Sequence, residues 1–168
     1  MASIGTVKGF EGRLIPTAPT STILFPTFKR LRISAILSEL EVNKRVFVLG
    51  KPVRADLKWR ERALRIINYD LIDPNTDKLV EVTTLSPTKC FSKLTELLKK
   101  GIVSPRGNII ICPHGSKMQT VGVWHFCANN PDVRIVLSQP TEFFPLKYST
   151  GYRDTFVFDA LLAWPENR

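Results

Sequence analysis

Long apolar runs, clustered cysteines and repeats are what this sequence lacks, and each absence excludes a class of protein. No stretch of 18 apolar residues occurs, so no segment reads as a membrane span. The cysteines are three, Cys90, Cys112 and Cys127, odd in number and scattered. They cannot form a disulfide framework, and they point to a reducing compartment and a cytoplasmic location. The run Met1-Ala2-Ser3-Ile4-Gly5 has no basic region leading into an apolar core, so it does not read as a signal peptide. Internal repeats and low-complexity tracts are missing as well. What remains is globular: 168 residues, 43% hydrophobic and 23% charged. A chain of that length buries roughly 70% of its unfolded surface, so a single domain needs neither disulfide nor metal to hold its core.

Positive charge is abundant and uneven. Residues 1–65 hold 13 Lys+Arg against 5 Asp+Glu, whereas residues 66–168 hold 11 against 10. The excess lies in Lys29-Arg30-x-Arg32, Lys44-Arg45 and the series Lys51, Arg54, Lys58, Arg60, Arg62, Arg65. Such a field attracts phosphorylated ligands or polyanions. Few aromatic side chains are interleaved with these charges, which favours a phosphate-attracting rim over a single-strand binding groove.

Residues 1–20 follow neither period and read as an irregular N-terminal extension or loose edge, with the domain proper spanning 21–168. Five apolar strands follow, at Ser21–Phe25, Arg45–Leu49, Lys78–Leu85, Asn108–Cys112 and Arg134–Ser138, with a sixth at Thr155–Phe158. Helices separate the first five. The helix from Lys29 to Glu41 places Ile33, Ile36, Leu37 and Leu40 on one stripe. A second spans 55–69 with a basic outer face. A third opens at Ser86-Pro87-Thr88 and closes at Lys99-Lys100-Gly101, cations at the negative end of the dipole and then a permissive cap. A fourth follows Pro113-His114-Gly115-Ser116-Lys117 and runs to about Asn130. Buried strands alternating with amphipathic helices predict an α/β, Rossmann-like three-layer domain: a mostly parallel six-stranded sheet, helices on both faces and a C-terminal antiparallel edge.

In such folds ligands bind at the carboxyl ends of the strands. That selects the loops Pro26–Lys29, Gly50–Val53, Leu85–Thr88 and Pro113–Lys117. In the last, Gly115 allows close backbone approach and Ser116 caps the helix. The first-turn amides can then donate to an anion. Lys117 puts a cation where the helix dipole already favours anions, an arrangement that a bound phosphate would offset.

The run Ile111-Cys112-Pro113-His114-Gly115-Ser116-Lys117-Met118 resembles the turn after the fourth strand of the CRISPR-associated Rossmann-fold (CARF) sensor domains, of the type Gly-Gly-Thr-Lys-Pro-Met. The resemblance implies antiviral defence and a cyclic oligoadenylate bound across a homodimer, which some members cleave slowly. It places Gly115, Ser116 and Lys117 in the ligand site. It puts Thr27 near a second motif after the first strand, with Arg30 or Arg32 as its basic companion. This chain departs from the pattern in having His114 for the first Gly and in having no Pro before Met118. It also has no Arg-x4-His nuclease signature.

Other constellations compete. Cys112-x-His114 with His125-x-Cys127 offers a zinc set, but positions two apart on a helix point about 200° apart, so no metal is expected. Glu81-Val82-Thr83 lacks the lysine of a carboxylate nuclease. Gly122 reads as a site of close helix–sheet packing. The loop holding Pro140, Phe143, Phe144, Tyr148 and Gly151 offers aromatic faces to a base or to the sheet edge. The expected function is therefore a nucleotide-binding or sensing module without a cofactor. Its ligand is a nucleotide or cyclic oligonucleotide, contacted by Thr27, Arg30, Lys51, His114, Gly115, Ser116, Lys117 and Ser138. An effector would be a separate protein or another part of a longer chain, since little follows the sixth strand. Two alternatives stand beside it: a small hydrolase or phosphodiesterase in which His114 is catalytic, oriented by Asp70, Asp73 or Asp154, and a nucleic-acid binder using the basic first third.

Overall fold

The computed structural model describes residues 3–139. Its strands are β1 (Ser3–Thr6), β2 (Thr20–Leu24), β3 (Lys44–Lys51), β4 (Lys78–Thr83), β5 (Asn108–Cys112) and β6 (Arg134–Gln139). Its helices are α1 (Arg30–Glu39), α2 (Trp59–Ile67), α3 (Pro87–Lys99) and α4 (Lys117–Ala128), with single 3-10 turns on either side of α2. The strands form one six-stranded sheet in the order β1-β6-β5-β2-β3-β4. Strands β2 to β6 are parallel and β1 is antiparallel to β6. The parallel part thus has the doubly wound order, with its reversal between β2 and β5, where Leu24 pairs with Cys112.

Two apolar clusters, one on each face, hold the layers together. On one face Ile33 and Ile36 of α1 pack with Leu24, Phe47, Ile110 and Val136, and Leu37 and Leu40 extend the same stripe. On the other, Phe91, Leu94 and Leu97 of α3 and Val123, Phe126 and Cys127 of α4 cover Ile23, Val48, Ile111 and Ile135. The alternate side chains of β2 and β5 divide between the two clusters, as the period of a strand buried on both sides requires. Gly122 lies between α4 and α3: a Cβ there would stand 2.5 Å from the Pro87 carbonyl and 2.7 Å from the Cys90 Cβ. The close packing that it permits is therefore helix to helix rather than helix to sheet.

Among the described residues the antiparallel edge is N-terminal. Within the segment expected to be irregular, Ser3–Thr6 pairs with Val136–Gln139, and Val7 and Phe10 exchange backbone bonds of 2.9 Å with Ile135. Asn108, buried at the start of β5, fastens the next stretch. Its Oδ1 accepts from the Ile15 amide at 2.7 Å, and its Nδ2 donates to the carbonyls of Ile15 and Ala18. The expected strand at Thr155–Phe158, the aromatic loop from Pro140 to Gly151, and Asp154 lie outside the described residues.

Candidate functional site

The carboxyl ends of β2, β3, β4 and β5 converge on a cavity of about 370 Å³. Each of the four loops selected by the strand-end rule contributes: Pro26, Thr27 and Phe28 after β2, Gly50 and Pro52 after β3, Thr84 and Leu85 after β4, and His114, Gly115 and Ser116 after β5. Leu57, Arg60 and Leu64 close one side from the α2 region, and Gln119 of α4 closes the other. Apolar groups form most of the wall, with a few polar ones convergent on it, the usual make-up of a small-molecule site.

The turn into α4 is locked by its own side chains. Ser116 Oγ accepts from the Gln119 amide at 3.2 Å and donates to the Thr84 carbonyl at 2.6 Å. Gln119 Oε1 accepts from the Ser116 amide at 2.9 Å, completing a capping box, and its Nε2 donates to the Val82 carbonyl at 3.2 Å. A Cβ on Gly115 would overlap the Gln119 amide, so the turn can close on Gln119 only with glycine there. Ser116 is thus committed to the fold rather than presented as a nucleophile. The amides of Lys117 and Met118, in the first turn, have no protein acceptor among the described residues.

His114 is half-buried, and its Nε2 accepts the Ser138 amide at 3.3 Å, which assigns its proton to Nδ1. Burial, and then the nearby positive charge of Arg32, hold its pKa down to about 4. The imidazole is therefore neutral at pH 7. Of the carboxylates considered for orienting it, Asp70 is ion-paired with Arg30, and Asp73 accepts the Asn75 amide in its own turn. Buried Ser138 meets His114 through its backbone, while its Oγ has no partner among the described residues.

Of the residues expected at the site, Thr27, His114, Gly115 and Ser116 line the cavity together, whereas Arg30, Lys51, Lys117 and Ser138 do not. Arg30 is held by Asp70, and Lys51 lies 3.6 Å from Glu81. The positive charge that acts on the His114 imidazole is that of Arg32. Much of the basic first third is likewise paired, Arg45 with Asp77, Arg54 with Asp56, and Arg65 with Glu61 and Glu81. The zinc reading fails on placement, since Cys112 and Cys127 belong to clusters on opposite faces of the sheet. Burial pushes both thiols up to about 12, as it does Cys90.

Sequence reasoning missed Phe28 and Arg60 as cavity residues. The Arg60 guanidinium stands 5.8 Å from the centroid of Phe28 and 5.7 Å from that of Trp59. Phe28 is 32 positions from Arg60, so no local pattern joins them, although Arg60 already stood out within the basic series.

The molecule is a Rossmann-like α/β domain with a strand-end cavity. No protein-family model matches it, and the search of curated proteins found no match. Among solved structures it is similar to Can2 from Sulfobacillus thermosulfidooxidans, determined in complex with cyclic tetra-adenylate. The TM-score is 0.50 at 11% identity, over 70% of this chain and 31% of that one. At that identity the likeness is one of fold alone. No helix among the described residues is long and apolar enough to cross a membrane.

Proposed function

We propose that this domain binds a nucleotide of the cyclic oligoadenylate class and acts as a sensor rather than through turnover. The observation that carries the reading is the cavity over β2–β5, at the reversal of strand order where doubly wound sheets take their ligands. The CARF-like turn Gly115-Ser116-Lys117-Met118 and the fold likeness to a protein solved with cyclic tetra-adenylate support the same class. A phosphate would accept from the open amides of Lys117 and Met118, with Lys117 adding charge. Thr27 and His114 would face the base or ribose, with Ser138 holding the His114 ring from behind through its amide, and Arg30 and Lys51 would add to the long-range field. At about 370 Å³ the cavity is at the small end of ligand pockets and suits one nucleotide unit. A cyclic oligonucleotide would then span two copies of the domain. That arrangement would make the working unit a homodimer, and the CARF resemblance adds a separate effector and a role in antiviral defence.

The test is a thermal-shift screen of mononucleotides, dinucleotide cofactors and cyclic oligonucleotides, with Lys117→Ala alongside. A ligand at about 100 times its Kd adds about 2.7 kcal/mol to the folded state, a rise of several degrees in Tm. Cyclic oligoadenylates are expected to raise Tm, and Lys117→Ala to reduce the rise. No shift with any nucleotide would overturn the reading.

A further inference from the structure

The residues lining the cavity include no carboxylate, and His114 is neutral, so Arg60 is their one formal charge. Among the described residues Arg60 also has no ion-pair partner, in contrast to Arg30, Lys51, Arg54 and Arg65 around it. Its guanidinium instead lies near the rings of Phe28 and Trp59, both of them substantially exposed. Cation–π attraction of this kind holds a guanidinium over a ring without neutralising it. The unneutralised charge therefore lies over the half-exposed Phe28 ring at the cavity wall.

Resting on the nucleotide reading, we infer that Arg60 and Phe28 are its specificity determinants on the α2 side. The Phe28 ring stacks on a planar base while the Arg60 guanidinium pairs with an anionic group beside it. The ligand class is thus a planar ring carrying a phosphate within reach, and the uncharged nucleoside is discriminated against. An unpaired guanidinium serves an anion well because its planar fork donates two parallel bonds to one phosphate. The stacking face is indifferent to charge, so the two residues divide the work: Phe28 supplies affinity for the ring and Arg60 the preference for the anion.

Isothermal titration with AMP, adenosine, cyclic tetra-adenylate and the non-nucleotide anion naphthalene-1-sulfonate separates these roles. Wild type is expected to prefer AMP over adenosine. Arg60→Gln should cut that preference by tenfold or more with an unchanged melt. Phe28→Ala should weaken AMP and adenosine by similar factors and leave their ratio intact. A ratio unchanged in Arg60→Gln, with cyclic tetra-adenylate still bound by wild type, overturns this inference and leaves the nucleotide reading standing. Binding of naphthalene-1-sulfonate that depends on Arg60, with no nucleotide bound, overturns the nucleotide reading and with it this inference, which rests on that reading. Binding of none of the four overturns both.

Discussion

The two walls of the cavity are built on opposite plans. On the α4 wall, Ser116 and Gln119 use their polar atoms on each other, on Thr84 and on Val82, and Gln119 is only 1% exposed. On the α2 wall, Arg60 lies over the rings of Phe28 and Trp59 without a hydrogen bond to either, and Trp59 is 61% exposed. The first wall ties a helix to the sheet, and its side chains have little left to offer a ligand beyond two backbone amides. The second contributes little to holding the fold, and its groups remain available. Polar residues at a strand end therefore divide into those that shape a site and those that meet what enters it, and hydrogen-bond accounting tells them apart.

Stability measurements can break that contrast. The largest effect is expected from Gly122→Val, whose side chain has no room against Pro87 and Cys90 and would lift α4 from α3. A loss of about 3 kcal/mol, read as a fall in Tm of roughly 6–12 °C, is the expectation. Gln119→Leu should follow at about 2–3 kcal/mol in urea titration, because it leaves the Ser116 amide without its acceptor and removes the tie from α4 to the Val82 carbonyl.

A third effect runs through pH. The unfolded His114 takes up a proton near pH 6.5 and the folded one only near 4, so between those values the unfolded chain binds more protons. Stability should decline as pH falls through that window, by about 2 kcal/mol once partial exposure is allowed for, and His114→Gln should flatten this part of the profile. The smallest effect belongs to the α2 wall: Arg60→Gln should move the urea midpoint by less than about 0.5 kcal/mol in stability. A loss above 1 kcal/mol there, or near zero for Gln119→Leu, would erase the distinction between the walls.

Most of the architecture was legible because it is written in local patterns. The three isoleucines of β5, the Ile33–Leu40 stripe and the Lys99-Lys100-Gly101 stop each act within one element. Gly101 indeed takes a φ of +65° just past α3. The helix expected across 55–69 is instead a 3-10 turn at Ala55–Leu57, then α2, then another at Tyr69–Leu71. One smooth pattern of charge and apolar residues does not reveal where the hydrogen bonding changes. Strand β1 escaped because Ser-Ile-Gly-Thr has no strand signature; its pairing with β6 makes it a strand. At the site, the loops could be chosen from the strand-end rule, but the partners of their side chains could not. Arg30 and Lys51 looked as available as Arg60 until Asp70 and Glu81 were placed beside them.

The direction of β1 has a practical consequence. Because it runs against β6, Ser3 stands opposite Gln139 at the carboxyl end of the sheet, the same end as the cavity. Three inter-strand steps of about 4.8 Å separate β1 from β2, roughly 14 Å in all. A fluorophore attached at residue 3 would therefore sit within energy-transfer range of an acceptor-labelled nucleotide in the cavity. A bulky fusion at the same point would crowd that face, so a purification handle near the start of the chain should be removed before any titration.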